Sequence, residues 1–179
     1  MREEIFVLRI GHRIERDKRI TTHVGLVARA FGAKGILFIN TESDVKQKID
    51  EVTERWGGPF ETKIIEENWK NVVLKWRKMG GAIIHLTMYG APIDEKIDEI
   101  RKDKRRKLVV VGAEKVPKEL YALSDFNVSI TSQPHSEVAA LAIFLDRFYM
   151  GKEIGLKFSD AKLTIVPTER GKRIIESRV

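Results

Sequence analysis

The sequence predicts an α/β protein: a parallel sheet with helices on both faces, ending in a C-terminal β-hairpin. Three observations lead there. Short Val- and Ile-rich runs such as "KLVVVGA" and "GAIIHLT" have no polar alternation, as strands buried on both faces do. These runs alternate with segments of helical period, the pattern of a helix-covered parallel sheet. The last 25 or so residues break that rhythm and read as two strands around a turn.

Taken in order, "IFVLRI" (Ile5 to Ile10) reads as a strand, and Thr22 or His23 through Phe31 as a helix broken by Gly32. "GILFIN" is the second strand. In "DVKQKIDEVTERWG", Val45, Ile49, Val52 and Trp56 recur at helical spacing. "TKIIEE" and the amphipathic "NWKNVVLKWRKM" follow, and "GAIIHLT" places Ile83, Ile84 and Leu86 in a strand. "PIDEKIDEIRK" reads as a helix, "KLVVVGA" as a strand, "PKELYAL" as a short helix, "FNVSI" as a strand, and "SEVAALAIFLDRFYMG" as a long apolar helix. "AKLTIVP", the turn "TERG" and "KRIIESRV" form the hairpin. The division expected is one domain over 1–155 and a hairpin extension over 156–179, too short to hold its own core.

Composition narrows the function classes. The chain has 179 residues, 42% hydrophobic and 33% charged, with net charge +7, a balance that suits a polyanionic partner such as nucleic acid. It contains no cysteine, which removes disulfides, thiolate metal sites and a cysteine nucleophile together. The four histidines, at 12, 23, 85 and 135, form no helical ligand pair and have no carboxylate cluster beside them, so no metal is expected. No apolar run approaches the about 18 residues of a membrane span, and "MREEIFVLRIG" lacks the apolar core of a signal peptide; a soluble, cytoplasmic protein without a membrane partner is expected. Abundant Lys, Arg and Glu without Cys also fits a protein from a hot environment.

Neither a P-loop nor a Gly-x-Gly-x-x-Gly turn is present, which counts against a nucleotide-using enzyme of flavodoxin-like type and against the common Rossmann-type methyltransferases. What remains is three segments that leave late strands: "HLTMYGAP", "GAEKVPKE" and "ITSQPHSE". Ligands of open α/β sheets bind beyond the carboxyl ends of strands, so these segments are a candidate small-molecule site. Equally, such turns occur for steric reasons alone.

The strings "ITTHVGLVARAFGAKGILF", "LVVVGAEKVP" and "NVSITSQPHSEVAALAIFLDRF" resemble the three successive motifs of the SPOUT superfamily of RNA methyltransferases. Within it, nearly the whole chain is similar to the archaeal enzymes that methylate the 2'-oxygen of cytidine 56 in the T-loop of tRNA, using S-adenosyl-L-methionine. The resemblance implies a deep trefoil knot in the C-terminal half, an exception to unknotted topology. It also implies a homodimer with active sites near the subunit interface, and tRNA as partner. In the first motif, Gly25 and Arg29 stand in register, with His23 where ribose methyltransferases carry Asn. Arg29 is thereby assigned to the attacking 2'-hydroxyl and its neighbouring phosphate. A free guanidinium stays protonated across the whole physiological pH range, so positioning and anion stabilisation are its minimum role and proton abstraction the stronger claim. The plain alternative is an arginine lying along the helix surface.

The same resemblance assigns the cofactor to Leu86, to Gly112, Ala113, Glu114, Lys115 and Val116, and to Ile130, Thr131, Ser132, Gln133, Pro134, His135, Ser136 and Glu137. Ser136 can also cap the following helix. Arg101 to Lys107, cationic at every position but Asp103, and Arg9, Arg13, Arg16, Lys18 and Arg19 are candidate phosphate contacts; solvated charge is the competing reading of the first run. Tyr89 could stack on a base, while Trp56, Trp69 and Trp76 sit at core positions of their helices. An RNA-binding module of the same fold without catalysis is the rival function.

Overall fold

The computed structural model describes residues 4–11, 17–112 and 116–177. In chain order the elements are β1 (Ile5–Ile10), α1 (Lys18–Ala30), β2 (Gly35–Ile39), α2 (Ser43–Trp56), β3 (Glu61–Ile65), α3 (Trp69–Lys78) and β4 (Ala82–Pro92). They continue with α4 (Ile93–Lys102), β5 (Lys107–Gly112), α5 (Lys118–Leu123), β6 (Phe126–Ser129), α6 (Glu137–Tyr149), β7 (Leu163–Ile165) and β8 (Ile174–Glu176).

The first six strands form one sheet in the order β3-β2-β1-β5-β4-β6, with every neighbouring pair parallel. Side chains alternate across it with period two. Ile5 and Val7 of β1, Val109 and Val111 of β5, and Ile84 and Leu86 of β4 face a core completed by α1, α2, α4 and α6. Leu8, Ile10, Leu108, Val110 and Ile83 face a second core under α3 and α5. Burial on both faces explains why these strands carry unbroken aliphatic runs. β7 and β8 pair antiparallel as a separate two-stranded ribbon, as the sequence suggests.

α1 starts at Lys18, four residues before the earliest start read from the sequence. Lys18 and Arg19 lie in its first turn: the Thr21 N–H and hydroxyl both donate to the Asp17 carbonyl, at 2.8 and 2.7 Å, and Lys18 pairs with Asp44 at the start of α2. Gly32, with φ +87°, turns the chain after α1 toward β2. Gly25 has a steric role, because a Cβ there would stand 2.3 Å from Ile49 Cδ1 and 3.3 Å from Phe38 Cζ. It lets α1 close onto α2 and β2. Gly25→Val overpacks this contact and lowers unfolding free energy by about 2 kcal/mol, measurable by denaturant titration.

Candidate functional site

Since β5, β4 and β6 are adjacent and parallel, their three exits emerge side by side at the carboxyl edge of the sheet. "HLTMYGAP" is not the free loop that the sequence suggests. β4 runs through it to Pro92, but its pairing with β6 slips, so that both Leu86 and Ala91 stand opposite Val128. Thr87 to Gly90 are thereby extruded as a strap. Gly90 lies against the β6 backbone, where a Cβ would come within 2.5 Å of the Val128 nitrogen. Leu86, the last residue in register, turns its side chain into the core below.

A polar seam anchors the strap. The Thr87 and Tyr121 hydroxyls are 2.8 Å apart, and the Tyr121 ring meets His85 edge-on at 4.7 Å between centroids. His85 Nδ1 lies 2.9 Å from Asn127 Oδ1, and Asn127 Nδ2 donates to the Tyr121 carbonyl at 3.0 Å. His85 is fully buried, and burial pushes its imidazole below the ordinary value against the opposing effect of the Asn127 bond. A histidine with a depressed folded pKa stays neutral where the unfolded chain takes up a proton, so it subtracts stability as pH falls below the ordinary value of 6.5 and has no such effect above it. Unfolding free energy of His85→Gln relative to wild type therefore rises on acidification from pH 6.5 to 5.5, by at most about 1.4 kcal/mol.

The second exit leaves β5 at Gly112, which is half-buried; Ala113, Glu114 and Lys115 lie outside the described residues. Val116 packs against the core under α3 and α5. At the third exit Ile130 packs on the other core, whereas Thr131, Ser132, Gln133, Pro134, His135 and Ser136 are exposed. Thr131 Oγ1 accepts from the Gln133 N–H at 3.2 Å, and Ser136 Oγ accepts from the Val138 N–H at 3.2 Å, capping α6 as anticipated.

Glu137 opens α6 and is held from below. Arg9, 1% exposed in β1, donates from both Nε (3.1 Å) and Nη2 (2.8 Å) to Glu137 Oε1, and from Nη1 to the Gly11 carbonyl (2.9 Å). Glu137 Oε2 is buried with no hydrogen-bond partner. The reading of Arg9 as a phosphate contact is therefore corrected: it is sealed under the third exit as a counter-charge. One signal pointed to this, an arginine inside an otherwise apolar strand, where a buried charge requires a partner.

In the run Arg101 to Lys107, Lys102, Lys104, Arg105 and Arg106 are exposed. The run lies at the opposite, amino edge of the sheet, ahead of β5. Arg105 bridges Asp103 and Asp125, with its guanidinium raised above the ordinary value by Asp103, Arg106 pairs with Glu4 over Phe6 and Trp76, and Lys107 is buried. Of the other cations, Lys18 is paired with Asp44, Arg19 is exposed, and Arg13 and Arg16 lie outside the described residues. Trp76 is a core residue, and Trp56 and Trp69 are half-buried.

Arg29 also lies at the amino edge, because α1 returns the chain from the end of β1 to the start of β2. It is 8% exposed, which removes the helix-surface reading. Nε donates to Thr53 Oγ1 at 3.1 Å, Nη2 donates to the Gly57 carbonyl, and the guanidinium lies 5.7 Å from the Phe158 ring centroid. Burial lowers its pKa from the ordinary value, while Asp160 opposes the change. With Lys34, Phe60, Leu156 and Phe158 it lines a small pocket. His23, on the same helix, is exposed. Within one chain the structure thus gathers the three strand exits and leaves Arg29 at the other end of the sheet. Among the described residues no group of His, Asp or Glu could hold a metal ion, and no helix is long and apolar enough to cross a membrane.

Comparison with known proteins matches this architecture. Solved structures with the same fold include the TrmH/SpoU tRNA modifying enzyme of A. aeolicus, at TM-score 0.59 and 14% identity, covering 86% of this chain and 78% of that one. Another is the SpoU methyltransferase AviRb of Streptomyces viridochromogenes in complex with AdoMet, at TM-score 0.55 and 14% identity, covering 85% and 59%. Sequence relatives are far nearer. The tRNA (cytidine(56)-2'-O)-methyltransferase of Staphylothermus marinus is 57% identical over 96% of this chain and 92% of its own length. That of Hyperthermus butylicus is 54% identical over 97% and 92%. Residues 56–175 match the family described as tRNA ribose 2'-O-methyltransferase, aTrm56. On this match and these identities, the chain belongs to the family of tRNA ribose 2'-O-methyltransferases.

Proposed function

We propose that this protein methylates the 2'-hydroxyl of cytidine 56 in the T-loop of tRNA, using S-adenosyl-L-methionine held at the three strand exits. The convergence of the exits of β5, β4 and β6 carries the reading. The residues there fit this cofactor: segment 130–137 offers exposed hydroxyl and amide groups and contains no Lys or Arg, which suits a ligand without phosphate. Leu86, segment 112–116 and segment 130–137 would hold it. When bound, it supplies an electrophilic methyl group on sulfur. The chain's part is to align the ribose oxygen with that methyl and to hold the charge that develops as the hydroxyl loses its proton.

Arg29 is the group proposed for that task. Because it stands at the amino edge, its guanidinium reaches a ribose at the strand exits only if those exits belong to a second copy, so the working enzyme is a homodimer with shared sites. A second reading is favoured by the bonds to Thr53 and Gly57 and the contact with Phe158: Arg29 as a clamp joining α1, α2 and the segment after α6. The C-terminal half is taken to form the trefoil knot of the SPOUT fold, with 156–179 as an appended hairpin, and the enzyme to act on tRNA in the cytoplasm.

The test is transfer of labelled methyl from S-adenosyl-L-methionine to an unmodified archaeal tRNA transcript, with the modified nucleotide mapped. Label on the 2'-oxygen of cytidine 56 is the expected result. Binding of tRNA that falls steeply with salt, without any transfer, would instead identify a non-catalytic RNA-binding module.

A further inference from the structure

We infer that Tyr89 is a stacking surface for a base of the tRNA, set beside the methyl-transfer site by the strap that carries it. This rests on the strand exits being the cofactor site. Tyr89 is 74% exposed at the tip of the strap, so its ring has no packing role within the chain. Yet its backbone is fixed at both ends. Its N–H reaches Thr87 Oγ1 at 3.4 Å, and that oxygen is shared with the Tyr121 hydroxyl. On the other side Gly90 is seated on the β6 backbone at a distance that admits no Cβ. Tyr121 is tied in turn through Asn127 and His85 to β6 and β4. An aromatic ring held in water on an anchored backbone loses little freedom when a base settles on it. Unstacked bases of single-stranded RNA loops stack on aromatic side chains, a contact that tolerates any base.

Steady-state kinetics of the intact enzyme with tRNA transcript test this. Tyr89→Ala is expected to raise KM for tRNA about 10-fold, within the range of stacking losses. KM for S-adenosyl-L-methionine, melting temperature and oligomeric state should not move. Tyr89→Phe keeps the ring and should stay within about 2-fold of wild type, while Tyr121→Phe, which unties the strap, should shift the tRNA KM in the same direction by less. An unchanged tRNA KM in Tyr89→Ala would overturn the assignment. So would dissociation of the oligomer, which would make the ring a contact between copies. Ser132→Trp/Gln133→Trp separately checks the underlying reading: retained cofactor affinity in that exposed double variant would remove the site from the strand exits.

Discussion

Replacing Arg29 by Ala is expected to cut methyl transfer by at least about 100-fold, the scale of losing one preorganised group that stabilises developing charge. Cofactor binding should persist, because Arg29 is assigned to the ribose oxygen and not to the cofactor. The substitution also leaves the buried Gly57 carbonyl without its donor and removes the bond to Thr53, at a cost of about 1–3 kcal/mol. Comparing activity with melting temperature separates the two roles. A clamp alone would lose activity only as far as the fold is lost, and assays well below the melting temperature would recover it. Arg29→Lys should fail to restore transfer, since an ammonium cannot reproduce the planar fork. Burial lowers the guanidinium pKa, but from so high an ordinary value that the charge persists at neutral pH. Positioning and charge stabilisation therefore suffice for its role.

The other large effect belongs to Arg9. Arg9→Met strands the Glu137 carboxylate in a buried site and is expected to lower stability by about 3–5 kcal/mol, seen as a marked fall in the urea midpoint. The double variant Arg9→Met/Glu137→Leu should recover most of that loss, because removing both charges leaves nothing unpaired. Since Glu137 begins α6 directly after the third exit, Arg9→Met should also weaken cofactor binding. Equal loss of stability in the single and double variants would show that packing of the Arg9 stem, and not the ion pair, holds this corner.

Alternation of aliphatic runs with helical periods made the sheet and its layers legible, because strands covered on both faces cannot hide their composition. The extruded strap was not, since one strand that continues through a register slip looks like a strand followed by a loop; only Gly90, packed on a neighbouring backbone, hinted at it. Glu137, a member of the assigned cofactor segment, was visible as a motif residue, but its buried partner was not, because the two are joined across the sheet and far apart in sequence. The charge density of the stretch before β5 is readable, whereas two of the carboxylates that pair with it, Glu4 and Asp125, come from elsewhere in the chain. Arg29 stood out by its register in the first motif. Its distance from the strand exits is a consequence of topology, which a local pattern does not carry.

That distance makes one measurement decisive for the shared-site arrangement. Arg29→Ala and Ser132→Trp/Gln133→Trp, each inactive alone, are unfolded together and refolded as mixed dimers. If one copy's Arg29 serves the other copy's strand exits, each mixed dimer regains one complete site, and about a quarter of wild-type transfer returns. Activity no higher than that of the separate variants, with mixed dimers verified by differential tags, would contradict a site shared between two copies.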